Sequence, residues 1–166
     1  MRILAPLAIA TLLPLAATAD VAAGAIFDAD GAEIGTIRIV DQPSGVTSIT
    51  IEASGFDEGV RGVHLHETGA CEAPDFESAG GHIAGDMMHG IAVDGGPHPG
   101  DLPNAHVGSD GMIMVEYFSE RITAADLLDE DGSAFIVHSG ADDYESQPSG
   151  DAGDRVACAV MIPEMG

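Results

Sequence analysis

The chain has 166 residues, 45% hydrophobic and 20% charged, which suits one domain with a buried core and leaves room for a second only if both were very small. Its 28 Asp and Glu face five basic residues, all Arg, and a formal net charge of −23 argues against nucleic acid or anionic lipid as partner, since both need clustered cations. Twenty-two glycines, 4% aromatics and no Trp point to many turns around a core of Val, Ile, Leu and Ala.

The first element in chain order is not part of a fold. Met1-Arg2 supplies a positive end, Ile3 to Ala17 is apolar apart from Thr11, Pro6 and Pro14, and Ala17-Thr18-Ala19 has the small-x-small form of a signal-peptidase site. The stretch falls short of the roughly 20 residues a membrane span needs, and its prolines weaken it as a helix. Residues 1–19 therefore read as an export signal cleaved before Asp20, with a buried N-terminal helix as the alternative. The mature domain, residues 20–166, is expected in the periplasm or otherwise exported, with no membrane attachment after cleavage. Export favours pairing of Cys71 with Cys158 over two buried thiols. A bridge closing a loop of 87 residues is credited with ~4 kcal/mol by chain entropy.

From Ala22 onward short β-rich runs alternate with turn signals. Ala25 to Phe27 precedes Asp30-Gly31, and Ile34 to Val40 precedes Gln42-Pro43-Ser44-Gly45. Val46 to Ile51 alternates, with Thr47, Ile49 and Ile51 on one face. Gly62 to His66, Ala105 to Val107, Met112 to Phe118, Ala134 to His138 and Arg155 to Ile162 bring the candidate strands to eight. Such spacing predicts an all-β sandwich or barrel. Only Thr123 to Asp129 suggests a helical turn, with Thr123 as N-cap. Glu67 to Asn104 and Ser139 to Asp154 fit no strand, and structureless loops of that length are usually functional.

The histidines gather at those loops. His64 and His66, two apart on a candidate strand, project from one face, which suits a metal site but equally suits two solvent-facing positions. The long loop adds His82, His89, His98 and Asp101 among glycines that permit close backbone approach, and His138 ends a strand before the second loop. Imidazole suits copper and zinc, and a His-rich set with one Asp fits tetrahedral zinc. His106 stands apart and reads as an ordinary surface histidine.

Gly62-Val63-His64-Leu65-His66, Ala79-Gly80-Gly81-His82, Pro97-His98-Pro99-Gly100-Asp101-Leu102-Pro103-Asn104, Phe135 to Asp143 and Gly150 to Cys158 together resemble the copper/zinc superoxide dismutase family. The Pro-Asn motif and Tyr144-Glu145-Ser146-Gln147-Pro148 resemble its exported bacterial branch. The resemblance implies an eight-stranded Greek-key β-barrel with two long functional loops. It implies one copper per chain on His64, His66, His82 and His138, and one zinc on His82, His89, His98 and Asp101, with His82 as the bridge. Asp142 matches a carboxylate linking His64 to His89, and Arg155 matches an arginine that attracts and positions the substrate anion. Arg155 also reads as a structural residue beside the disulfide. The implied reaction is dismutation of superoxide to oxygen and hydrogen peroxide, with Arg155 and His82 as its working side chains, in a monomer or a homodimer. A periplasmic copper or zinc carrier without turnover is the alternative, and an adhesive sandwich leaves the matched ligands unexplained.

The chain departs from the family pattern in several places. His82 to His89 spans seven residues where the family commonly has eight, and Ile83-Ala84-Gly85 stands where Asn-Pro usually follows the bridge. These changes bear on His89 as a zinc ligand. No Lys is available for the channel rim, and Ala159 stands where Gly usually follows the second Cys.

Overall fold

Alternation of buried and exposed side chains builds the sheet. A computed structural model describes residues 21–164, so the export signal expected at residues 1–19 lies outside the described residues. Ten strands follow in order: β1 (Val21–Asp28), β2 (Glu33–Asp41), β3 (Thr47–Ala53), β4 (Gly59–Arg61), β5 (Val63–His66), β6 (Ala105–Val107), β7 (Ile113–Ser119), β8 (Ala134–His138), β9 (Arg155–Val160) and β10 (Ile162–Pro163). They form a curled antiparallel sheet in the order β5-β8-β9-β1-β2-β3-β7, with β10 on β1 and β4-β6 as a separate pair. Neighbours distant in sequence, such as β5 with β8 and β3 with β7, are Greek-key crossovers.

Register carries the core across this sheet. Ile37 sits opposite Ile51, Ile39 opposite Ile49 and Ile51 opposite Val115, so one face of three strands is continuously apolar. Ala22, Ile26, Ile37, Ile39, Ile49 and Ile51 are buried with Val63, Leu65, Phe135 and Val137 from the far end of the sheet. Each fully buried Ile or Leu contributes about 1.5–3 kcal/mol relative to exposure, which offsets the ordering of so many loops.

Three sequence expectations change. The run Gly62 to His66 holds the expected strand, β5, but a short strand that the sequence did not signal, β4, precedes it, and the chain switches partners at Gly62: β4 pairs with β6 and β5 with β8. Gly62 itself donates to Gly140 O and accepts from His138 N, and a Cβ there would crowd Ala152. The last strand breaks at Met161, whose side chain turns into the core, leaving Ile162 and Pro163 to pair with β1. Thr123 to Asp129 yields only a 3-10 turn, Ala125–Leu127, whose N-cap is Ala124. Thr123 and Asp126 instead exchange backbone-to-side-chain hydrogen bonds in front of it. The two long loops are as expected, holding among them one further 3-10 turn, Glu77–Ala79.

Candidate metal centre

Strand alternation places the first two imidazoles. On β5, Val63 and Leu65 enter the apolar core, so His64 and His66 point to its other face. The β5–β8 pairing brings His138, at the end of β8, beside them. The long loop then docks on the remaining edge of β5: Ile83 donates to Leu65 O at 2.9 Å, Leu65 to Gly100 O at 2.9 Å, and Glu67 to Gly81 O at 3.0 Å. His82 is thereby bridged to His66 and Asp101 to His64. Gly100 is required at this contact, since a Cβ would strike Leu65 O.

Two groups result, sharing His82. His64, His66, His82 and His138 form one, and His82, His89, His98 and Asp101 the other, with ligand atoms within 4.8 Å of one another in each. His89, despite the shortened spacing, is fully buried in the second group. Between His82 and His89 the loop passes through a turn closed by Met87 N on Ala84 O, with Gly85 at φ 56°. His106 is exposed on β6, away from both groups.

Hydrogen bonding decides which nitrogen each imidazole offers. His66 Nδ1–H donates to Gly80 O at 3.0 Å and His138 Nδ1–H to Gly153 O at 3.1 Å. Asp142 accepts from His64 Nε2 at 2.7 Å on one oxygen and from His89 Nε2 at 3.1 Å on the other. What remains is a set of buried nitrogens without partners: His64 Nδ1, His66 Nε2, His82 Nε2 and His138 Nε2, one from each member of the first group. Buried polar atoms are seldom left so, and four converging lone pairs have the donor chemistry of a copper site.

The second group is frustrated in a different way. Asp101 Oδ1 lies 3.0 Å from His82 Nδ1, 3.0 Å from His89 Nδ1 and 3.2 Å from His98 Nδ1. A neutral His89 that donates Nε2–H to Asp142 presents a bare lone pair to that oxygen. A cation among the four atoms relieves the conflict, and three imidazoles with one carboxylate suit zinc.

Burial tunes the empty-handed imidazoles toward ligation. It pushes His64 down to about 3 against the opposing bond to Asp142, His66 to about 2 and His138 to about 4. His98 is lowered by the same cause. For Asp101, burial works upward but is outweighed by the His82 bond, the Gly90 N–H and the charges of His89 and His98, which hold the carboxyl well below its usual range.

Arg155 opens β9 with its guanidinium tied to Phe76 O and Gly80 O, both at 2.8 Å. Cys71 and Cys158 are disulfide-bonded with Cα atoms 5.8 Å apart, so the same loop is fastened to β9 twice. Three further residues matter to which sequence reading gave no role. Asn104 pairs with the backbone of Asp142 through both ends of its amide, at 2.8 and 2.9 Å. Gln147 does the same for His89, at 3.0 and 2.9 Å. Gly150 is the third, because a Cβ there would collide with the Asp142 carboxylate. Only the motif membership of Asn104 and Gln147 could have drawn attention to them.

A family model described as copper/zinc superoxide dismutase matches residues 33–161. A copper/zinc superoxide dismutase of Caulobacter vibrioides is 39% identical over 153 residues, covering 87% of this chain and 84% of the relative. One from Aquifex aeolicus is 38% identical over 143 residues, covering 82% and 84%. Among solved structures, a double mutant of a superoxide-dismutase-like protein from Bacillus subtilis superposes with a TM-score of 0.77 at 37% identity, over 87% of this chain and 97% of that one. The copper/zinc superoxide dismutase of Brucella abortus gives 0.70 at 27% identity, over 84% and 98%.

Proposed function

This chain belongs to the copper/zinc superoxide dismutase family, and we infer that it converts superoxide to oxygen and hydrogen peroxide with one copper and one zinc per chain. We assign copper to His64, His66, His82 and His138, and zinc to His82, His89, His98 and Asp101. The observation that carries the assignment is the set of four buried, unpartnered imidazole nitrogens, with the other nitrogen of His82 turned to the Asp101 group.

Bound copper supplies a centre that takes up and returns one electron, and bound zinc a fixed positive charge. The chain's own residues do the rest. Asp142, accepting from His64 and His89, fixes their tautomers so that each presents Nδ1 to a metal. Burial keeps His64, His66 and His138 neutral at physiological pH and therefore able to ligate. Arg155 receives and orients the substrate anion, its reach set by Phe76 O and Gly80 O. His82 Nε2, facing the copper-side group, is the atom at which the chain holds a proton for the peroxide product.

Residues 1–19 act as an export signal and the mature chain works in the periplasm, a reading that the disulfide supports. Amino-terminal sequencing of exported protein should then begin Asp20-Val21-Ala22. Metal analysis with a superoxide-consumption assay tests the enzymatic reading. About one copper and one zinc per chain with rapid turnover is expected. Bound metal without turnover would make the protein a carrier and overturn it.

A further inference from the structure

We propose that Asp75, Glu77 and Asp154 form an acidic collar that opposes Arg155, so that this chain restrains the entry of the anion that Arg155 captures. The proposal rests on superoxide being the substrate. A cavity of about 430 Å³ is lined by Pro74, Asp75, Glu77, Gly153, Asp154 and Arg155: three carboxylates and one cation. It borders the copper-side group closely. Gly153 O accepts from His138 Nδ1 at 3.1 Å, and Gly80 O accepts from both His66 Nδ1 at 3.0 Å and Arg155 at 2.8 Å.

Local backbone geometry keeps the carboxylates there. Phe76 adopts a left-handed conformation, φ 54°, that sinks its ring into a small core with Ala79, Ala134, Ile136 and Cys158. Its carbonyl anchors Arg155, so the residues on either side, Asp75 and Glu77, are held one position away from the guanidinium with exposed side chains. Among the described residues, no carboxylate forms an ion pair with Arg155. The collar therefore acts through its field rather than by occupying the guanidinium. Arg155 already registers that field: burial lowers its proton affinity, while Glu77 and Asp75 pull it back up. A unit charge roughly 8 Å from an incoming anion, at low salt, alters its local concentration by about two-fold.

The test reads the potential at Arg155 without any metal. Disulfide-intact, metal-free protein is treated with anionic 4-carboxyphenylglyoxal or with neutral phenylglyoxal, and modification of Arg155 is followed by peptide mass spectrometry. Asp75→Asn and Glu77→Gln should each raise the anionic-to-neutral rate ratio about two-fold at ~0.01 M salt, and the gain should vanish near ~1 M, where the Debye length is about 3 Å. The same variants, loaded with metal to equal content, should gain a similar factor in kcat/KM for superoxide. Glu52→Gln removes an exposed charge on β3, three strands from β9, and should alter neither quantity. A ratio that stays flat, or that Glu52→Gln moves equally, overturns the collar. If the unmodified enzyme consumes superoxide while the ratio is flat, only the collar fails. If the ratio rises in a protein that consumes no superoxide, the function assignment fails and the field at Arg155 stands.

Discussion

The two halves of the metal centre are held by different means. Three of the four copper-side imidazoles stand on strands, where the β5–β8 ladder and the apolar core beneath it set their positions. On the zinc side every member comes from the long loop, and order there depends on Asp101, the cross-loop clamps of Asn104 and Gln147, and the disulfide. The contrast teaches that one group owes its geometry to a strand ladder and the other to side-chain hydrogen bonds and a covalent bridge.

The largest test of that contrast removes the loop's covalent anchor. Cys71→Ser should cost about 2–5 kcal/mol of stability, read as a drop in the thermal midpoint, and should lower activity by loosening the hold on Arg155. An unchanged midpoint would mean that loop docking on β5 alone suffices. His89→Ala comes next. Zinc affinity should fall by about 100-fold or more while copper content stays near one per chain, because no copper-side atom is lost. Equal loss of both metals in metal analysis would show the two halves to be one cooperative unit.

Asp142→Asn probes the link between them. An amide can accept from one imidazole N–H but meets the other with its own NH2, so either His64 or His89 loses its tautomer lock. Metal affinity should fall by about 10–100-fold, measured by competition with a chelator, and Asp142→Glu should not restore it, since Gly150 leaves no space.

Acid offers the most graded test. The folded state holds His64, His66 and His138 below their unfolded value of 6.5, so the unfolded chain binds more protons as pH falls. Stability of the metal-free protein is thus full above about pH 6.5 and declines progressively below it, as the unfolded chain takes up protons that the buried imidazoles exclude. Asp101 and Asp142, held low in the folded state, add a further loss at still lower pH. Metal-loaded protein should resist this decline, because a ligated nitrogen cannot be protonated. Thermal melts of both forms from pH 7 to 4 measure the difference.

Much of this molecule was legible along the chain. Alternation in β2, β3 and β7 marks half-buried strands, and the Gly-Asp turns mark their ends, because both signals are local and backbone-level. β1 was underestimated, since its buried Ala22 and Gly24 positions carry too little side chain to show an alternation. Candidate ligands followed from residue type and motif, and the expectation of export favoured the cysteine pairing that the fold contains.

The sequence by itself therefore determined an all-β chain, its two long loops, a disulfide and the side chains available to two metals. Tertiary structure decided the rest. The break at Gly62 exists because β4 and β5 pair with different partners, and no neighbour in sequence signals that. Which nitrogen each histidine offers was set by Gly80, Gly153 and Asp142, and the clamps of Asn104 on Asp142 and Gln147 on His89 join residues 38 and 58 positions apart. A hydrogen bond selects its partner by position in space, and only the folded chain brings such residues to bonding distance.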